Sequence, residues 1–138
     1  MRFEEFIKNN FARKANPDRQ LIKSLVNTAE SDLKYLNKLE LTEESARKLT
    51  TNYYDILRSL LEAIASSKGY KIYSHEAFTS FLQELGENNI AIKFDRIRKT
   101  RNNINYYGKS VYLEEAKDII SEIKTLIKIL KEKYLKNA

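Results

Sequence analysis

Only three glycines and one proline interrupt this 138-residue chain, and each stands where an apolar rhythm breaks off. Between them the apolar residues recur in steps of three and four rather than alternating, which is the period of a helix and not of a strand. A first helix is expected from about Phe3 to Arg13, ahead of Asn16-Pro17. The second runs from about Asp18 to Leu39 on Ile22, Val26, Ala29, Leu33 and Leu36. The third follows Thr42 as N-cap and carries Leu49, Tyr53, Ile56, Leu60 and Ile64 to its end near Lys68. The fourth follows Ser74 as N-cap and bears Phe78, Phe81, Leu82 and Leu85. A fifth spans Ile90 to Tyr107, and the last, from near Leu113, keeps Ala116, Ile120, Ile123, Ile127, Leu130 and Tyr134 on one face. Gly69, Gly86 and Gly108 are placed to take the left-handed conformation just past helix ends. Only Tyr70-Lys71-Ile72-Tyr73 reads as a brief extended link. The fold class expected is all-α: an antiparallel up-down bundle of five or six helices, forming one domain over residues 1–138.

The chain contains no cysteine, which removes disulfide and thiol chemistry, and its single histidine, His75, argues against a zinc site made by protein ligands alone. No metal and no cofactor are expected. Glu4 and Glu5 interrupt the first apolar run, unlike a signal peptide, and no apolar run reaches the roughly 20 residues of a membrane span. A cytoplasmic protein with no membrane partner is expected. Lys and Arg number 25 against 19 Asp and Glu, a balance compatible with an anionic partner.

One residue breaks the pattern of the fifth helix. Ile90, Phe94, Ile97 and Ile104 form an apolar stripe, and Arg101 occupies its missing step. At 100° per residue, Arg101 lies within about 40° of Ile97. A guanidinium keeps its charge and needs several acceptors, so an apolar stripe is a costly place for it. A carboxylate, a second subunit or an anionic ligand should meet it. Around it, Lys93, Arg96, Arg98, Lys99 and Arg101 stand within nine residues against a lone Asp95, followed by Tyr106 and Tyr107. Cations for phosphates beside aromatic faces for bases are the composition used on single-stranded nucleic acid. Lys93, Arg96, Arg98, Lys99, Arg101 and Tyr107 are therefore candidate nucleic-acid-binding residues. A solvated helix face is the alternative for Lys93, Arg96 and Lys99.

The stretch Ala46-Arg47-Lys48-Leu49, Asn52-Tyr53-Tyr54, Leu57, Leu60-Leu61-Glu62-Ala63, Lys68-Gly69-Tyr70 and Ser74-His75-Glu76 resembles the central part of HEPN domains. The family's next helix carries Arg-Asn, three variable residues and a histidine. Here Arg101-Asn102 is followed by Asn103, Ile104, Asn105 and then Tyr106. The resemblance covers Thr42 to Gly108 and implies a helical bundle that pairs as a homodimer, with signature helices facing across a cleft. It also implies a binding site for RNA or a nucleotide. In many members it implies metal-independent ribonuclease activity, in which Arg steadies the phosphate, His moves protons and a 2′-hydroxyl attacks. A nucleotidyltransferase partner in a toxin–antitoxin pair is a further implied association.

Carried over, the signature makes Arg101, Asn102 and Tyr106 the candidate catalytic residues. Tyr106 stands in the histidine's place, and with an ordinary pKa of about 10 only on the order of one tyrosine in a thousand is ionised at pH 7. That makes it a weak general base. His75 reads as a first-turn polar residue of the fourth helix. The expected function is thus an HEPN-like dimeric module that binds RNA or a nucleotide and has lost catalysis. An active metal-independent ribonuclease and a helical protein-interaction module are the alternatives.

Overall fold

The computed structural model describes residues 1–107 and 111–136, with the side chains of 105–107 outside that description. Among the described residues six helices and two short strands follow in the order α1 (Phe3–Lys8), β1 (Ala12–Lys14), α2 (Arg19–Leu36), α3 (Ala46–Ser67), β2 (Tyr70–Ile72), α4 (His75–Glu84), α5 (Asn88–Tyr107) and α6 (Leu113–Tyr134). Among the described residues helix makes up 73% and strand 5%, so the all-α helical bundle expected from the periodicity is what forms. No helix among the described residues is long and apolar enough to cross a membrane.

α3 is the spine of the bundle. Tyr54, Leu57, Leu60, Leu61, Ala63 and Ile64 have no exposed surface, and α2, α5 and α6 all pack against this helix. α2 contributes Ile22, Val26, Ala29 and Leu36, and α6 contributes Ala116, Ile120, Ile123, Ile127 and Leu130. These are the stripes read from the three-four spacing, and removing that apolar area from water is the main force that assembles them.

Three element boundaries differ from expectation by three residues or more, and α5 starts two residues early, at Asn88. The first helix stops at Lys8, not Arg13. Asn10 adopts a left-handed φ of 65°, its N–H reaches the Ile7 carbonyl at 3.1 Å, and the Phe11 N–H reaches the Phe6 carbonyl at 2.9 Å. That is a Schellman ending, with asparagine in the role usually taken by glycine. The released residues form β1, antiparallel to β2, with Ala12 opposite Ile72, Arg13 opposite Lys71 and Lys14 opposite Tyr70. The link at 70–73 is thus half of a ribbon whose other half lies far away in sequence. α2 closes at Leu36, three residues short of Leu39, while Asp18 caps its start by accepting from the Leu21 N–H at 3.0 Å. α3 begins at Ala46, one turn after Thr42. The intervening turn is closed by reciprocal bonds: Thr42 N–H to Ser45 Oγ at 2.8 Å and Ser45 N–H to Thr42 Oγ1 at 3.2 Å. Gly69 and Gly86 do take positive φ past α3 and α4 (88° and 82°), whereas Gly108 lies outside the described residues.

Candidate functional site

The apolar stripe of α5 is buried as its spacing requires: Ile90, Phe94, Ile97 and Ile104 are all within 8% of full enclosure. Arg101 shares that face, and its side chain retains only 18% exposure. Its guanidinium carbon lies 5.5 Å from the centre of the Tyr54 ring, and Nη2 lies 3.8 Å from Asp55 Oδ1. A cation over an aromatic face gains roughly 0.5–2 kcal/mol, more as water is excluded. The partner demanded by the sequence is thus supplied by α3 of the same chain, as a carboxylate and a ring. Arg101 by itself therefore does not call for a second subunit.

Tyr54 links this arginine to the lone histidine. The Tyr54 ring is fully buried and lies near-parallel to His75 (centroids 5.6 Å apart) and to Phe94 (5.8 Å). Its hydroxyl is 2.7 Å from His75 Nδ1. Burial pushes the Tyr54 hydroxyl well above its ordinary pKa, against the opposing fields of Arg101, Arg98 and Arg58. It therefore stays protonated, and a buried hydroxyl needs an acceptor. With Tyr54 donating to Nδ1, the imidazole proton resides on Nε2. Burial, with Arg101, Arg58 and Arg98 acting in the same direction, lowers the His75 pKa to about 4. At neutral pH the ring is uncharged.

Around this pair the charges are unequal. Glu62 accepts from Arg58 at 3.3 Å and Lys71 at 2.9 Å. Asp95 accepts from Arg98 at 2.8 Å, Lys99 at 3.1 Å and Thr79 at 3.2 Å. Asp55 feels Arg101, Arg58 and Lys48, yet burial outweighs them and raises its pKa. Three carboxylates thus serve six cations at the junction of α3, α4 and α5. An arrangement of this kind can hold an anion, and charge-assisted bonds from guanidinium groups are the strong way to do so. No group of three or more His, Asp or Glu among the described residues is placed to hold a metal ion.

The five cations of the 93–101 segment do not form one face. Arg98 and Arg101 turn inward, about 60° apart around α5. Arg96, about 140° away from Arg101, pairs with Glu122 of α6 at 2.5 Å and is 64% exposed. Lys99 is 67% exposed, and Lys93 also faces solvent. Asn102 is half-buried beside Arg101. Tyr106 and Tyr107 belong to the last turn of α5, but their side chains lie outside the described residues. His75 is the first residue of α4, as expected, yet its ring belongs to the Arg101 cluster. Tyr54, Asp55, Arg58 and His75 are the site residues that sequence reasoning passed over. The chain reversal at Gly69, which folds β2 back along α3 and delivers His75 to Tyr54, is the signal that could have found them.

Comparison of the chain with protein-family models, with curated proteins and with solved structures gives no match.

Proposed function

We propose that the chain is an HEPN-like module that binds the phosphate of RNA or of a nucleotide at the Arg101 cluster and does not turn it over. The observation that supports this reading is the surplus of cations over carboxylates around a half-buried Arg101 set on Tyr54. Arg101-Asn102 also stand where the resemblance puts the family's phosphate-side residues. The chemistry available for cleavage is poor. A conjugate acid with a pKa of about 4 makes His75 a feeble base at pH 7. Its Nδ1 is engaged by Tyr54 as well.

One histidine in the chain makes the test direct, because its ring protons are unambiguous by NMR. A phosphate dianion placed among Arg58, Arg98 and Arg101 offsets their field on His75. The His75 pKa should therefore rise from about 4 as inorganic phosphate or a uridine nucleotide is added. Arg101→Ala should weaken this response at least several-fold, since a charge-assisted bond contributes about 1.5–3 kcal/mol. A His75 titration that ignores saturating phosphate and nucleotide would remove the reading. RNA should survive incubation with the protein in EDTA. Cleavage there, lost on His75→Ala, would instead make the chain a metal-independent ribonuclease.

A further inference from the structure

The ribbon of β1 and β2 carries a surface that the Arg101 site does not use. Side chains alternate between faces along a strand. Ala12 and Ile72, paired across the ribbon, are buried at 1% and 6% exposure, so Arg13 and Lys71 take the outward face. The pairing extends one step further, because the Tyr73 N–H donates to the Phe11 carbonyl at 2.8 Å. Phe11 and Tyr73 then join the same face, opposite one another, with 48% and 55% of their surfaces exposed. Arg13 Nε donates to the Tyr73 hydroxyl at 2.7 Å. Two half-exposed aromatic rings, of which Phe11 packs edge-on to Phe6 with centroids 6.3 Å apart, and two cations thus occupy one small block of sheet.

The block is continued at both ends. On one side Arg13, Lys14 and Lys68 line an open groove of about 550 Å³ with no carboxylate among its described lining residues. On the other, Tyr73 precedes His75 by two positions, and His75 meets Tyr54 beneath Arg101. Lys71 and Arg58, both held by Glu62, lie along the way. From Lys68 back to Tyr54 is about 20 Å along α3.

We propose that the outward face of this ribbon, continued by the groove at its end, is a track for single-stranded nucleic acid, with Phe11 and Tyr73 stacking bases, and with Arg13 on the face and Lys14 and Lys68 in the groove holding phosphates. The charge selects a polyanion, and the rings select among polyanions. An acidic peptide offers nothing flat to stack, and a duplex keeps its bases inside, whereas a single strand presents a π-face at every nucleotide. The inference rests on the preceding reading only for the direction of the strand, whose end it delivers to the Arg101 cluster.

The test is anisotropy of a labelled oligouridine of about a dozen nucleotides with the full chain, over a series of salt concentrations. Tyr73→Ala should weaken binding at least about five-fold, while Tyr73→Phe, which keeps the ring, should bind like the unaltered protein. Replacing Arg13, Lys14 and Lys68 together with Gln should flatten the log–log salt slope by about 2. Tyr73 is exposed, and circular dichroism will show the fold of its variants unchanged. Tyr73→Ala binding as tightly as the unaltered protein overturns the inference, and so does a salt slope that the triple variant leaves unchanged. Polyglutamate competing as well as unlabelled oligouridine would assign the face to an acidic protein. If Arg101→Ala loses affinity and the ribbon variants do not, this inference alone falls; the reverse result removes the Arg101 reading alone.

Discussion

Two cationic regions of this molecule hold their charge in opposite ways. Along α5 the cations are dense in sequence, but Arg96, Arg98, Lys99 and Arg101 each pair with a carboxylate of the same chain. At the ribbon they are scattered from Arg13 to Lys68 in sequence, yet they converge on a groove whose described lining includes no carboxylate. Density of charge along a chain therefore says little about charge left unneutralised in space. The α5 cations are engaged by carboxylates first and available to a ligand second: Arg96 and Arg101 tie α5 to α6 and α3, while Arg98 and Lys99 pair with Asp95 of α5 itself. At the ribbon the order is reversed, so deleting side chains should lower stability along α5 and leave it nearly unchanged at the ribbon, where binding alone should suffer.

The largest contrast is between two tyrosines. Tyr54 is fully buried against Phe94 and His75, and Tyr54→Ala should cost about 3–5 kcal/mol as a large-to-small core change. Tyr73, on the ribbon, is 55% exposed, and Tyr73→Ala should stay within about 0.5 kcal/mol. Urea unfolding at unchanged slope measures both. Tyr54→Phe sharpens the point: it keeps the ring and leaves His75 Nδ1 without its donor, at about 1–3 kcal/mol. A Tyr54→Phe protein as stable as the parent would mean that the hydroxyl bond does not hold α4 against α3.

The next contrast is between arginine and lysine. Arg98 has a side chain only 13% exposed and gives two bonds to Asp95, at 2.8 and 3.1 Å. Arg98→Ala should lower stability by about 1–3 kcal/mol, although Lys99 and Thr79 remain to serve Asp95. Lys14→Ala, on the exposed edge of the ribbon, should change stability by less than about 0.5 kcal/mol. Equal effects at the two positions would end the distinction between the regions.

What could be read in the sequence follows the same division. The burial of Ile90, Phe94, Ile97 and Ile104, and the misfit of Arg101 among them, are local consequences of helical geometry. They hold in the structure residue for residue. The partners of Arg101 are not local. Asp55 lies on a different helix, and His75 reaches Tyr54 across 21 residues and a chain reversal. The ribbon was hidden for a related reason. Residues 12–14 continue an apparently helical stretch, and only the Schellman ending at Asn10 and a distant partner strand turn them outward. Three-residue strands are too short for a period of two to declare itself.

Acid should distinguish the regions more gently. His75 has a folded pKa of about 4 against an ordinary 6.5, so the unfolded chain binds the extra proton. Stability should therefore fall as pH drops from about 6.5 towards 4, by about 1–2 kcal/mol once solvent screening of a half-exposed ring is allowed for. Asp55 works the other way: burial raises its folded pKa, so its contribution is present at low pH and lost as pH rises through that value. His75→Gln removes the first effect and keeps the second. Subtracting the two pH profiles should isolate the histidine, and a zero difference would show that the ring is not desolvated at the α3–α4 junction.

The smallest effect should come from Arg96, which a reading by sequence density alone would rank beside Arg101. Its ion pair with Glu122 ties α5 to α6, but the arginine is 64% exposed. Exposed pairs contribute about 0.2–1 kcal/mol, because solvent screens the attraction and two long side chains lose freedom. Arg96→Ala should therefore lower stability by about 0.5 kcal/mol or less. It should also leave the oligouridine salt slope almost unchanged, since Arg96 lies on the opposite side of α5 from Arg101 and away from the ribbon. A loss of the full 0.7 or so per phosphate contact would carry the strand across the outer face of α5. The two cationic regions would then be one surface, with Arg96 exchanging Glu122 for a phosphate of the ligand.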